Sequence, residues 1–335
     1  MKKLLKPAVL SVLAVINLSS KADTLSDVQA KGSLNCGVST GLVGFSSTDS
    51  AGKWKGLDAD MCRAVAAATL GDANKVKFVP LTAKERFTAL QSGEVDLLSR
   101  NTTWTVTRDA SMGLNFAGVN YYDGQGFMVK KSLGVTSAKE LDGATFCLQA
   151  GTTTELSLAD YFRSNGMSYN SSLSDTSAQT KKGFATGRCD ALTSDQSQLY
   201  ALRTTLKDPS SAIVLKDVIS KEPLGPVVRQ GDDKWFNIVK WSLNAMIGAE
   251  ELGISSKNIN NNFKNPEALR LLGRSGKLHE YLGLEKEWGY NIISQVGNYA
   301  QSFDRNVGKD TALNISRGLN ALWVKGGILY SPPFR

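Results

Sequence analysis

Three groups of polar residues in this chain follow short apolar runs and have the chemistry to hold a charged small molecule. After Val95-Asp96-Leu97-Leu98 come Thr102, Thr103 and Arg108; after Ala144 to Leu148 come Gly151-Thr152-Thr153-Thr154; after Ala191-Leu192 comes Asp195. Together they suit a zwitterion. Arg108 offers a planar fork of donors to a carboxylate, and the Thr103 hydroxyl with neighbouring N–H groups can complete that carboxylate's lone pairs. The turn at Gly151 brings backbone N–H groups and the Thr153 hydroxyl to the positive end of a helix, a second carboxylate contact. Asp195 is the natural acceptor for an α-ammonium. Taken singly, Arg108 reads as a surface arginine, Asp195 as a cap for the helix from Gln196, and the threonines as a cap for the helix near Thr153. Their shared placement after strands is what joins them into one site.

Other chemistries find less support. Gly37-Val38-Ser39-Thr40-Gly41 matches the nucleophile-elbow pattern formally, but a hydrolase also needs a histidine, and the only one is His279 in a polar segment far along the chain. No helix follows that pattern, so it reads as a loop that needs glycine for its turns. One histidine, cysteines expected to be oxidised and no phosphate-loop pattern leave no ligand set for a metal or nucleotide, and no cofactor is expected.

The elements that must position these residues alternate. Leu34 to Val38 reads as a strand, Leu57 to Leu70 as a helix, Val76 to Val79 as a strand, Lys84 to Ser92 as a helix ended by Gly93, and Val95 to Leu98 as a strand. This βαβαβ order implies a right-handed parallel sheet. The pattern restarts after Gly143: Ser137 and Glu140 form a capping box, Ala144 to Leu148 and Cys189 to Thr193 read as strands, Thr153 to Asn165 and Ala178 to Thr186 as helices. Two such units predict two lobes with a crevice between them, where ligands meet the carboxyl ends of strands.

Asn120 to Gly126 and Ser220 to Pro226 are the segments expected to cross between lobes. The predicted division is therefore 23–122 with 222–335 as a discontinuous first lobe and 123–221 as the second, the two crossings forming a hinge. The tail beyond Gly248 is expected to pack on the first lobe, with helices around Glu267 to Leu272 and Ala312 to Trp323.

At the start, Met1-Lys2-Lys3-Leu4-Leu5-Lys6, an apolar run from Pro7 to Leu18, and Ser20-Lys21-Ala22 predict an export signal in 1–22, cleaved after Ala22. The run is shorter than the roughly twenty residues that span a bilayer. Removing Lys2, Lys3, Lys6 and Lys21 subtracts four from the formal charge of +8, leaving +4. The remaining lysines and arginines form no block, so neither nucleic acid nor a membrane surface is indicated. Four cysteines in an exported chain allow three pairings; their placement in separate units favours Cys36 with Cys62 and Cys147 with Cys189, with buried free thiols as the alternative.

Several longer stretches point to a family. Gly56-Leu57-Asp58-Ala59-Asp60-Met61-Cys62-Arg63-Ala64, Ala89-Leu90-Gln91-Ser92-Gly93-Glu94-Val95-Asp96, Thr107-Arg108 leading to Phe116, Gln149-Ala150-Gly151-Thr152-Thr153-Thr154-Glu155-Leu156 and Gly187-Arg188-Cys189-Asp190-Ala191 resemble the polar amino-acid family of ABC-transporter solute-binding proteins. The tail, with Gln295-Val296-Gly297-Asn298-Tyr299 and Arg317-Gly318-Leu319-Asn320-Ala321-Leu322-Trp323, is similar to its longer, general L-amino-acid subgroup. The resemblance implies a two-lobed α/β periplasmic binding protein (type II, flytrap) that captures a free L-amino acid and delivers it to a membrane permease, and that is not an enzyme. It implies Arg108 for the α-carboxylate, Thr103 and Thr153 for hydroxyl contacts, Asp195 for the α-ammonium, and Asp190 as a position off the ligand. Phe45 is the candidate for an aromatic ring on the ligand, although its loop is spaced differently, and Ala83 leaves a small, weakly polar pocket wall. That wall with an intact zwitterion clamp predicts broad specificity and, by analogy, a monomer. A catalytic flytrap protein such as a dehydratase or lyase, or a sensing partner of a membrane receptor, are the alternatives.

Overall fold

The computed structural model describes residues 23–335; the expected export signal and its cleavage site lie outside them. The chain builds two five-stranded sheets of one plan. In the first, the order is Val76–Leu81, Leu34–Ser39, Leu97–Leu98, Val227–Arg229, Leu114–Phe116. In the second, it is Asn170–Ser174, Thr145–Gln149, Ala191–Asp195, Gln125–Lys130, Ala212–Val214. The first three strands of each are parallel, as the alternating pattern requires. The fourth is antiparallel to both neighbours, so the sheets are mixed rather than purely parallel. The reason is topological: Gln125–Lys130 and Val227–Arg229 each arrive from the hinge, against the direction of strands whose carboxyl ends face it.

Tyr121–Asp123 and Glu222–Leu224 cross between the sheets as an antiparallel pair, within both segments expected to cross. On the first-lobe side the crossing is packed backbone to backbone. Gly225 lies so close to Gly118 that a Cβ there would come within 2.0 Å of the Gly118 carbonyl oxygen. The Gly225 N–H donates to Thr102 O (3.0 Å) and the Trp104 N–H to Pro223 O (2.8 Å).

Helix Leu57–Leu70 covers the first sheet, its alanine-rich sequence allowing close approach by helix Asp233–Glu251. That second helix starts at Asp232, which accepts from Trp235 N–H (2.9 Å), and its Trp235 Nε1 donates to Asp96 O (2.9 Å). Cys36 of the first strand is bonded to Cys62 of helix Leu57–Leu70, and Cys147 to Cys189 in the second lobe. The capping box at Ser137 and Glu140 opens a short 3-10 turn, Ala138–Leu141.

The tail packs on the first lobe through helices Pro266–Leu271, Trp288–Gln295 and Tyr299–Asn306. One buried carboxylate ties it down: Asp60 Oδ2 accepts from Ser302 Oγ, Arg305 Nη2 and Asn306 Nδ2, each at 2.6 Å. The expected helix at Ala312 to Trp323 does not form. Left-handed backbone at Asn314 (φ 50°) and Gly318 (φ 47°) breaks it, leaving single 3-10 turns at Gly318–Asn320 and Trp323–Lys325. The strap so formed runs to the hinge, where the Asn320 side-chain amide accepts from Tyr122 N–H (2.7 Å) and donates to Tyr122 O (3.0 Å).

Candidate functional site

The crevice beside the hinge collects the polar residues that follow strands. Thr102 and Thr103 end the turn after Leu97–Leu98, and Arg108 rides on the one-and-a-half-turn helix Val106–Ser111, capped by Thr105. Arg108 is buried, its Nη1 donates to Thr103 O (2.8 Å), and its guanidinium lies 5.2 Å from the Phe87 ring centre. Burial lowers its pKa; the Glu222 and Asp195 carboxylates oppose that shift. From the other lobe, Thr153 approaches Thr103, hydroxyl to hydroxyl at 3.4 Å.

Both hydroxyls have a partner that was not foreseen. Thr103 and Thr153 each donate to Glu222 Oε2, at 2.6 and 3.0 Å, while Ser220 Oγ donates to Oε1 at 2.5 Å. A hydroxyl has one proton. Held this way, the two threonines offer a ligand acceptor lone pairs, and donation to a carboxylate falls to Arg108 and its guanidinium neighbours.

Asp195 stands at the end of strand Ala191–Asp195, before helix Gln196–Thr204, yet its side chain makes no cap bond to that helix. Its carboxyl is instead buried in the crevice, and its pKa is pushed well above the usual range by burial and by the nearby Asp123 and Glu222 carboxylates. Asp123, in the hinge, is raised to about 6, first by burial, with bonds from Ser197 and Gly124 opposing and Glu222 adding to the rise. Three carboxyl groups thus crowd one end of the crevice. Their mutual repulsion is relieved by a cation.

The same crevice holds buried cations, all within reach of Asp195. Arg86 donates weakly to Thr102 Oγ1 and Gly151 O (3.4 Å each), and Arg100 Nε donates to Leu81 O (2.9 Å). Both are buried. Burial, then the neighbouring arginines, lowers the Arg86 pKa well below its ordinary value; burial lowers that of Arg100 to about 10, against the pull of Asp58. Asp58, from helix Leu57–Leu70, holds the loop after Arg100 by accepting from Asn101 N–H (2.9 Å).

Among the described residues, three buried side-chain polar atoms lack a hydrogen-bond partner: Arg86 Nε, Asn101 Oδ1 and Gln125 Oε1. All three belong to this crevice. Leaving such groups unpaired costs about 1–3 kcal/mol each, so their concentration in one place marks it functionally. They comprise one donor and two acceptors, the complement of a carboxylate and an ammonium.

Other expected residues are placed differently. Gly151 does adopt left-handed backbone (φ 75°) and abuts Lys84 of the first lobe, but its N–H donates to Glu155 Oε1 (2.8 Å), so it is occupied within its own helix start. Thr102 Oγ1 donates to Arg100 O (2.9 Å) and supports the arginine loop. Phe45 does not reach the crevice: the turn at Gly44 (φ 84°) directs it into the first-lobe core, 1% exposed, with its ring edge-on to Tyr121 at 5.2 Å. Ala83 is small and buried, but the weakly polar wall expected around it carries Arg86 and Arg100. Asp190 accepts from Thr145 N–H (2.8 Å), a bond within the second lobe. Ser39 receives no histidine; its N–H donates to Ser46 Oγ (3.0 Å), while His279 lies in helix Leu278–Leu282 of the tail.

Sequence reasoning missed Arg86, Arg100, Asn101, Asp123 and Glu222. Two signals were available: charged residues at 123 and 222 inside segments otherwise rich in Gly, Pro and Tyr, and Arg100-Asn101 immediately before the threonines already singled out.

Comparison with known proteins agrees with this geometry. Residues 34–259 match the model of the bacterial extracellular solute-binding proteins, family 3. The chain is 55% identical over 338 residues to the general L-amino acid-binding periplasmic protein AapJ of Rhizobium johnstonii, covering 99% of each. It is 50% identical over 328 residues to the glutamate/glutamine/aspartate/asparagine-binding protein BztA of Rhodobacter capsulatus, covering 97% of each. A solved structure of an ABC transporter/periplasmic binding protein from Brucella ovis with glutathione bound matches with TM-score 0.92 and 54% identity, over 94% of this chain and 100% of that one. With the two-lobed α/β fold and a crevice of opposed charges, the chain belongs to the bacterial extracellular solute-binding proteins, family 3, which are binding proteins of ABC importers and not enzymes.

Proposed function

We propose that this protein is the periplasmic receptor of an amino-acid importer, taking a free L-amino acid between its lobes and presenting the closed form to a membrane permease. Arg108 receives the α-carboxylate. Asp195, with Asp123 beside it, receives the α-ammonium, and the Asn101 and Gln125 side-chain oxygens supply further acceptors. The observation that carries this reading is the clustering of all three unpartnered buried polar atoms in a crevice that holds both buried arginines and buried carboxyls.

Breadth follows from a clamp that reads groups shared by every amino acid. A micromolar dissociation constant requires about 8 kcal/mol, within reach of two desolvated charge pairs. The Arg86–Arg100 wall adds a bias toward side chains that end in oxygen: glutamate, aspartate, glutamine and asparagine. Glutathione is a second candidate, because its γ-glutamyl end is a zwitterion and its glycyl end a further carboxylate. The mature receptor begins after Ala22 and acts as a monomer.

The test is isothermal titration of the mature protein with L-glutamate, L-glutamine, L-alanine, L-lysine, their D-isomers and glutathione, comparing Arg108→Ala and Asp195→Asn. Micromolar binding of several L-forms that both substitutions abolish supports the proposal. Binding by none of them, undiminished binding in both variants, or consumption of the ligand sinks it.

A further inference from the structure

The family model ends at residue 259, so most of the tail is an addition to the family's shared core. This addition grips three consecutive residues, Asn120 and the first two of the crossing strand Tyr121–Asp123. Tyr299 Oη donates to Asn120 O (2.8 Å). The Phe303 ring stacks on that of Tyr121, centroids 6.2 Å apart and planes 8° from parallel. The Asn320 amide pairs with both the N–H and the carbonyl of Tyr122, as a neighbouring strand would.

The gripping residues are themselves anchored to the first lobe. Arg317 forks onto Glu250 (3.1 and 2.9 Å) and lies over the Tyr299 and Phe303 rings, at 5.2 and 5.0 Å. Asp60 holds the end of the Tyr299–Asn306 helix. Toward the second lobe the situation is opposite. A groove of ≈ 560 Å³ separates the strap from helix Gln196–Thr204, with Ile315 and Asn320 on one bank and Gln196, Tyr200 and Arg203 on the other.

We propose that the tail is a hinge clamp: Tyr299, Phe303 and Asn320 are positioning residues that make Asn120–Tyr122 part of the rigid first lobe and confine bending to Asp123–Gln125 and Ser220–Lys221. The partner crossing strand is already sewn to the first lobe through Pro223, Leu224 and Gly225. Beyond the clamp stands Gly124, where a Cβ would lie 2.3 Å from Val218 Cγ1 and 2.9 Å from Ser220 O. A glycine at this point keeps the two strands free to pivot past each other. The axis therefore lies next to Asp123 and Asp195, so closure moves the ammonium-binding end of the crevice little.

The test needs no ligand for its main reading. Lys53→Cys and Lys207→Cys, exposed on the first and second lobes, carry spin labels, and the inter-lobe distance distribution is measured for the ligand-free protein. Asn320→Ala and Tyr299→Phe, singly and together, are compared with Arg270→Ala, which frees the Phe334 end of the tail away from the hinge. The expected result is a broader distribution in the double variant, with Tyr122 amide hydrogen exchange accelerated roughly fivefold or more, as loss of a hydrogen bond implies, and neither change in Arg270→Ala. Thermal unfolding separates this from simple destabilisation, since both sets lower Tm. An unchanged distribution in a folded double variant, or equal broadening in Arg270→Ala, overturns the clamp. Because the readout is taken without ligand, it stands apart from failure of the amino-acid reading.

Discussion

The hydroxyls of Thr103 and Thr153, one from each lobe, converge on a single oxygen of Glu222 at 2.6 and 3.0 Å. The contact closes the crevice through a hinge residue, so the two threonines act on one acceptor rather than independently. In a cycle of Thr103→Val, Thr153→Val and the double variant, their effects on ligand affinity are expected to be non-additive by about 1 kcal/mol. Isothermal titration gives the coupling; additivity would mean that the shared oxygen is not used in the bound state.

The crowded carboxyl end sets a pH dependence. Asp123 has its pKa raised to about 6, so between about pH 4 and pH 6 the folded protein binds more protons than the unfolded chain, and stability falls as pH rises through that window. Removing the group in Asp123→Asn should flatten this dependence, by an amount on the order of 3 kcal/mol across the window. Ammonium binding has the opposite preference, since it needs ionised carboxylates. Affinity is thus expected to fall as pH drops below about 6, and calorimetry at that pH in buffers of different ionisation enthalpy should show proton release on binding.

The paired guanidiniums predict discrimination. Arg100→Met keeps most of the buried volume while removing the charge, and L-glutamate affinity should fall roughly tenfold or more, about the 1.4 kcal/mol or above expected for a buried charge-assisted bond. L-Alanine affinity should change less than threefold. Equal losses for both ligands would place Arg100 in the scaffold instead of against the side chain.

Each disulfide closes a sizeable loop, with sequence separations of 26 and 42 residues. On chain-entropy grounds they contribute about 3.5 and about 4 kcal/mol. Replacing Cys147 and Cys189 together by Ala should lower Tm more than replacing Cys36 and Cys62, by differential scanning calorimetry. The reverse order would show that native-state packing around Cys36 and Cys62, both wholly buried, dominates.

Helix Leu57–Leu70 was legible to the residue because its apolar spacing is a local feature. Strand ends were legible within two or three residues, and both crossings were visible as breaks in the pattern. What periodicity could not show is the antiparallel fourth strand of each sheet, which depends on the direction from which the chain returns. The failed helix before Trp323 has the same cause in reverse: long-range bonds from Asn320 to Tyr122 outweigh a local tendency. The convergence of Arg108, Thr103, Thr153 and Asp195 on one crevice was legible because they follow strands. Arg86 and Glu222 were not, because a helix start and a hinge place them there through tertiary contacts, and Phe45 was misplaced because one left-handed glycine turns it inward.

The insertion of Val227–Arg229 between Leu97–Leu98 and Leu114–Phe116 has a consequence for biogenesis. A chain emerging amino-end first can complete the second sheet, all of whose strands lie within 125–214, while the first still lacks the strand that joins its two halves. The nascent first lobe then waits with an open edge on each side of the gap, the state in which sheet proteins aggregate or recruit chaperones. Pulse-labelled hydrogen exchange during refolding should find Thr145–Gln149 amides protected before those of Leu114–Phe116, and the late lobe, although first to be synthesised, is where assembly of this receptor is most exposed to failure.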